Sequence, residues 1–141
     1  MKKKAIISIL SHEILNKDDA IEVVTPGDFY KKEDEYFAVY DETEISGMEG
    51  TTTTLKISKE KLSLLREGTT NAEMHFDKSN QCTTLYNTPY GVLEIKIDTD
   101  DLKIDVNDKG GEVFIKYNMI IAGQASQNTE LKIKIKSWII V

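Results

Sequence analysis

Arg66 and Glu42 are the two charged side chains whose positions on predicted strands point to buried chemistry. Arg66 lies an even number of positions from Leu62 and Leu64, and Glu42 lies two positions from Tyr40. Alternate residues of a strand face the same side, so both charges should face inward with these neighbours. A guanidinium stays charged in proteins and must be paired when it is buried. Arg66 therefore either binds an anionic group of a ligand near the mouth of an interior cavity, or forms a structural ion pair with Glu42.

Five further side chains could shape such a cavity. Tyr40, Tyr86 and Tyr117 each offer an apolar ring and one hydroxyl, and Met74 and Phe76 would add an apolar wall. The simpler interpretation makes these five residues ordinary core, because a small barrel is often filled by its own side chains. Together with Arg66 and Glu42 they are the candidate ligand-binding residues.

The sequence indicates neither a metal centre nor a catalytic site. His12, His75 and Cys82 are the only histidines and cysteine, and they lack the paired short spacings of zinc ligands. Cys82 and His75 could form a nucleophilic pair across a hairpin, but no other feature would activate the thiol. The acidic segment from Asp98 to Asp101 lacks the spacing of a calcium loop and is predicted to be a solvated turn. We therefore expect no enzymatic activity, no metal and no cofactor.

Size and charge restrict the class of protein. The chain has 141 residues, enough for one domain, with 18 Lys and Arg against 24 Asp and Glu and a formal net charge of −6. This balance argues against nucleic acid as a partner, because a nucleic-acid binder needs a basic surface. No apolar run approaches the ~20 residues of a membrane-spanning helix, so no membrane partner is expected. One cysteine cannot form an internal disulfide, and a cytoplasmic location is the default expectation.

Period-two alternation of apolar and polar residues is the dominant pattern, and it predicts the elements that must position these side chains. Leu131, Ile133 and Ile135, for example, alternate with three lysines. Turn residues such as those from Asp108 to Gly111 separate the alternating runs, giving about ten strand candidates at the spacing of an all-β fold. The segment from Ser58 to Arg66 could be a helix or a strand, and the strand is favoured because no capping box supports the helix.

The apolar strand faces must be covered, and no long amphipathic helix is available to cover them. The strands must then cover one another. Short sequential hairpins favour a closed up-and-down antiparallel β-barrel of about 8–10 strands, because closing the sheet from its last strand to its first removes exposed edges. We predict a single domain of this kind over residues 1–141.

Several short segments in this order resemble a known family. They are YFAVYDE (36–42), TLKI (54–57), LLREG (64–68), MHF (74–76), YNTPYG (86–91) and VFIKYNM (113–119). As an ordered set they resemble the YwiB-like family, a bacterial group of domains of unknown function with calycin-type β-barrels. The resemblance implies a lipocalin-like closed barrel and a cytoplasmic location in a low-GC Gram-positive bacterium. It implies no known activity.

Two functions are consistent with these patterns. The first is a non-enzymatic binding module that holds a small, partly apolar ligand in the barrel interior. The alternative is a solid-cored structural or interaction protein that contacts a protein partner through outer residues such as Phe37, Val39 and Trp138. The apolar end of the chain, from Trp138 to Val141, also suggests a homodimer contact as a hypothesis.

Overall fold

The alternating pattern folds into ten antiparallel strands. The computed structural model describes residues 2–13, 16–123 and 127–137, with the backbone alone described at 16–19, 88 and 127. Trp138 to Val141, the proposed dimer contact, lie outside the described residues. The strands are β1 (Lys3–Glu13), β2 (Asn16–Lys32), β3 (Glu35–Asp41), β4 (Thr51–Ile57), β5 (Lys61–Gly68), β6 (Ala72–Asp77), β7 (Cys82–Thr88), β8 (Gly91–Asn107), β9 (Gly110–Ile121) and β10 (Gln127–Ser137), and a 3-10 helix covers Glu44–Ser46. Among the described residues, no helix has the length and apolar character needed to cross a bilayer.

The strands follow one another in an up-and-down order and curl into a barrel. Neighbours in the sheet run β6-β5-β4-β3-β2-β1-β10-β9-β8-β7. The first and last strands pair along their length, from Ala5 opposite Ser137 to Glu13 opposite Thr129. The predicted meeting of the last strand with the first is therefore confirmed, as is the all-β barrel class.

The weakest joint of the barrel lies between β6 and β7. Within the described residues, the pairing there consists of two isolated bridges, one between Asn71 and Asn87 and one between Asp77 and Asn80 in the turn. Asn71 and Asn87 exchange two backbone hydrogen bonds of 2.8 Å. Between these two bridges the strands form no ladder, so the barrel is nearly closed and carries a seam in its wall.

Inward-facing residues form one continuous apolar core. On β10, Leu131, Ile133 and Ile135 are buried while the intervening lysines are exposed, as the alternation predicts. Phe29, Leu55, Ile97 and Ile115, from four other strands, join the same core cluster and are fully buried. The segment from Ser58 to Arg66, for which a strand is predicted over a helix, contributes most of its residues to strand β5.

One predicted turn is wrong. Asp98 to Asp101 do not end a strand, because β8 continues through them with a shift of register between Thr99 and Asp101 where it pairs with β9. Thr99 is buried and continues the inward row of Ile95 and Ile97. The acidic residues mark a bulge in a long strand, where one extra residue is accommodated without breaking the sheet.

Candidate functional site

A cavity of about 370 Å³ lies inside the barrel, within the range of ~300–1,000 Å³ that is typical of small-molecule sites. Its inner wall includes the fully buried Leu55, while its rim includes Ile21 and Leu93, which are 53% and 41% exposed. The cavity therefore runs from the core to an open end of the barrel. All seven candidate ligand-binding residues line it: Tyr40, Glu42, Arg66, Met74, Phe76, Tyr86 and Tyr117.

The position of Arg66 follows from the register of four strands. Tyr40 on β3 lies opposite Thr53 on β4, Thr53 lies opposite Arg66 on β5, and Arg66 lies opposite Ala72 on β6. Residues directly opposite each other in an antiparallel sheet share a face, so this whole row points into the barrel.

Glu42 is held at the same end of the barrel by Thr53. Its backbone N–H donates to the Thr51 carbonyl oxygen at 2.8 Å, which extends the β3–β4 ladder by one residue. The Thr53 hydroxyl donates to Glu42 Oε1 at 2.7 Å. Glu42 is only 7% exposed, so this hydrogen bond compensates part of the cost of burying its carboxylate.

Arg66 and Glu42 line the same cavity but form no ion pair. No guanidinium nitrogen of Arg66 lies within 4.0 Å of a carboxylate oxygen among the described residues. Arg66 Nε is buried and has no hydrogen-bond partner there. The structural ion pair, one of the two alternatives predicted for Arg66, is therefore not formed, and Glu42 Oε1 accepts a hydrogen bond from the Thr53 hydroxyl instead.

The charge of Arg66 acts on two tyrosines of the cavity. Burial raises the pKa of Tyr40, with the Glu42 carboxylate acting in the same direction and the Arg66 guanidinium in the opposite one. Burial also raises the pKa of Tyr117, and Arg66 again opposes the shift. Both hydroxyls are therefore protonated at neutral pH and can donate or accept hydrogen bonds.

Aromatic and sulfur-containing side chains form the walls. The rings of Phe76 and Tyr117 meet edge to face with centroids 4.9 Å apart, and Met74 lies on the same strand as Phe76. At the rim, the Tyr86 hydroxyl donates to Met48 Sδ at 3.4 Å and ties β7 to the loop after the 3-10 helix. The lining is mostly apolar, and Arg66 and Glu42 are the charged side chains among its described residues.

A chain of three polar residues lies outside the cavity. Ser63 Oγ is 2.8 Å from His75 Nδ1, and His75 Nε2 is 3.0 Å from Glu73 Oε1. Ser63 is only 5% exposed, so its hydroxyl offers little surface to a substrate. Because His75 bonds to Ser63, the Cys82–His75 pair that we considered does not form. In the described part of the chain, no group of three or more His, Cys, Asp or Glu residues could hold a metal ion.

Sequence reasoning missed Thr53 and the rim of the cavity. Thr53 lies in a run of four threonines that predicts a strand, and the alternation with Thr51 and Leu55 on the buried face was the available signal. Its hydrogen bond to Glu42 could not be foreseen, because it depends on the register between β3 and β4. The rim residue Met48 comes from a loop that carries no periodic pattern.

The comparisons with known proteins agree with this architecture. The family described as Domain of unknown function (DUF1934) matches residues 7–133. The "Uncharacterized beta-barrel protein YwiB" of Bacillus subtilis (strain 168) is 23% identical over 128 residues, which is 88% of this chain and 88% of that protein. The solved structure titled "Crystal structure of ywiB protein from Bacillus subtilis" has a TM-score of 0.81 at 20% identity, covering 98% of this chain and 92% of that chain. These findings confirm the resemblance to the YwiB-like family, and the structural match shows the fold.

Proposed function

We propose that this chain, which belongs to the family Domain of unknown function (DUF1934), is a non-enzymatic binding module for a small, partly apolar molecule held inside its β-barrel. The observation that carries the proposal is Arg66 Nε, a buried donor in the wall of an open-ended cavity that has no hydrogen-bond partner among the described residues. A buried polar group that makes no hydrogen bond costs about 1–3 kcal/mol, and more when it is charged. An anionic ligand group would remove that cost.

The rest of the lining supports an apolar body for the ligand. Phe76 and Tyr117 offer ring faces and edges, and Met74 offers a flexible, polarisable wall. Arginine binds planar anions such as carboxylates through parallel hydrogen bonds. The anionic group would lie against Arg66, and the apolar body would lie along these walls.

The test is a binding titration with 1-anilinonaphthalene-8-sulfonate, a fluorescent probe with one anionic group and apolar rings. We expect saturable binding to the folded protein, weakened at least tenfold by Arg66→Met, since a hydrogen bond to a charged group contributes about 1.5–3 kcal/mol. Lys96→Met, on the outer face of β8, is the matched control and should bind the probe as the unmodified chain does. Saturable binding with equal affinity in Arg66→Met would contradict the role given to Arg66, and failure of this probe and of L-phenylalanine alike would contradict the binding function.

The alternative function is a protein contact on the outer surface. Exposed apolar side chains near the β7–β8 hairpin support it, since Leu85 and Val92 are each 59% exposed. Native mass spectrometry of gently purified protein separates the two functions. A bound small molecule supports the cavity, whereas a bound polypeptide that is lost in Leu85→Glu and Val92→Glu supports the surface.

Location and oligomeric state follow as secondary proposals. We infer a cytoplasmic location from the single cysteine, and we expect no nucleic-acid partner from the net charge of −6. The homodimer rests on the last four residues, and light scattering of the full chain and of a chain ending at Ser137 tests it. Equal masses for the two chains would contradict a contact made by those residues.

A further inference from the structure

The cavity contains one positive and one negative side chain that do not neutralise each other. Of the described residues that line it, only Arg66 and Glu42 carry a formal charge. They are more than 4.0 Å apart, and the Glu42 carboxylate bonds to the Thr53 hydroxyl instead. The described lining therefore has a formal charge of zero, made of two separated charges.

This arrangement favours a ligand that carries both charges itself. A monoanion would pair with Arg66 but would bring its negative charge close to Glu42. A monocation would pair with Glu42 but would bring its positive charge close to Arg66. Like charges close together in a partly buried site repel each other, and a charge left without a partner retains its desolvation cost. A zwitterion satisfies both side chains at once.

The spacing of the strands sets how far apart the ligand's charges should be. Glu42 follows β3 and Arg66 lies on β5, with β4 between them. Neighbouring strands are about 4.8 Å apart, so the two backbones are separated by two such spacings, and both long side chains lie beside Thr53 on the strand between them. A compact zwitterion, with its ammonium and carboxylate on one carbon, has the size to fit between such side-chain ends.

We propose that the cavity binds an α-amino acid with a large apolar side chain, its carboxylate on Arg66, its ammonium on Glu42 and its side chain against Met74, Phe76 and Tyr117. This inference rests on the proposed binding function and narrows its ligand class. A cavity of about 370 Å³ has room for a single aromatic amino acid.

Three probes with the same phenyl-containing body separate the possible head groups: L-phenylalanine, 3-phenylpropanoate and 2-phenylethylamine. Calorimetric titration at pH 7 should give L-phenylalanine at least tenfold tighter binding than either singly charged probe. Equal or tighter binding of 3-phenylpropanoate would overturn the zwitterion in favour of a monoanion. Binding of the anilinonaphthalene probe together with no binding of L-phenylalanine would overturn the ligand class while leaving the binding function intact. Failure of all four probes would reject both.

Two variants test the assignment of the charges. Glu42→Gln should weaken L-phenylalanine at least tenfold while strengthening 3-phenylpropanoate, because the repelling carboxylate is gone. Arg66→Met should weaken L-phenylalanine while strengthening 2-phenylethylamine. Circular dichroism and a urea unfolding curve establish that each variant is folded. If each variant weakens all three probes to the same degree, the charge assignment is wrong.

Discussion

The Thr53 hydroxyl donates a 2.7 Å hydrogen bond to Glu42 Oε1 from the neighbouring strand. Thr53 is fully buried and Glu42 is 7% exposed, so this bond lies inside the barrel. Arg66, the residue opposite Thr53 on β5, has no carboxylate partner within the described part of the chain. The pairing of Glu42 with a threonine keeps a guanidinium available in the cavity.

Thr53→Val should lower the free energy of unfolding by about 1.5–3 kcal/mol, because it removes the hydrogen bond to a buried carboxylate without changing the shape of the side chain. Urea unfolding at neutral pH measures the change. Thr54→Val is the matched control, since Thr54 lies on the same strand, faces outward and has no side-chain hydrogen bond to a described residue. The control should stay within about 0.5 kcal/mol of the unmodified chain. Equal losses in both variants would mean that the hydroxyl of Thr53 contributes nothing specific.

Arg66→Met should leave the free energy of unfolding unchanged or raise it. Arg66 forms no ion pair with any residue that the structure describes, so the variant replaces a partly buried, unpaired charge by an apolar side chain of similar length. If Arg66 were paired with Glu42, the same variant would lose about 3–5 kcal/mol. Urea unfolding without added ligand distinguishes these results. Lys96→Met is the control, because it shows how much the free energy of unfolding changes when an exposed positive charge is replaced by methionine.

Stability should fall above about pH 10, the ordinary pKa of tyrosine. Burial raises the pKa of both Tyr40 and Tyr117 in the folded chain. The unfolded chain therefore loses these protons first as the pH rises, and the stabilisation present below pH ~10 is lost progressively up to the folded pKa. Each tyrosine contributes a slope of about 1.4 kcal/mol per pH unit in that interval. Unfolding curves measured from pH 9 to 11.5 should show this decline.

Replacing both tyrosines, as in the double variant Tyr40→Phe and Tyr117→Phe, should flatten that decline. Absorbance at 295 nm follows tyrosine ionisation directly, and the double variant should lose the part of the titration at the highest pH. A decline with pH that is as steep in the double variant as in the unmodified chain would contradict the assignment to these two residues.

Backbone amides at the β6–β7 seam should exchange with solvent at least about tenfold faster than their neighbours. Asn71 faces β7 through its backbone, so Glu73 and His75, at the alternate positions of β6, point their N–H groups into the seam. Met74 and Phe76 point theirs toward β5 and are the internal controls. Amide exchange followed by nuclear magnetic resonance measures the difference. Equal protection of both sets would show that β6 and β7 form a full ladder.

Much of the candidate site could be predicted, because the face of a strand on which a side chain lies follows from its neighbours in the sequence. Alternation along a strand places Arg66 on the same face as Leu64 and Glu42 on the same face as Tyr40, and these residues all line the cavity. The turn predicted at Asp98 to Asp101 failed because clustered acidic residues are typical of turns. The bulge that keeps them in β8 depends on pairing with β9, which cannot be inferred from the segment itself.

The sequence by itself determined that the chain is a barrel of about ten strands with apolar side chains inside, since a two-residue period dictates which face each side chain takes. Only the tertiary structure decided how the buried charges are satisfied. Whether Glu42 bonds to Arg66 or to Thr53 depends on the relative register of three strands, and a shift of one residue would turn either partner to the other face. Register is a property of the assembled sheet, and so is the seam between β6 and β7.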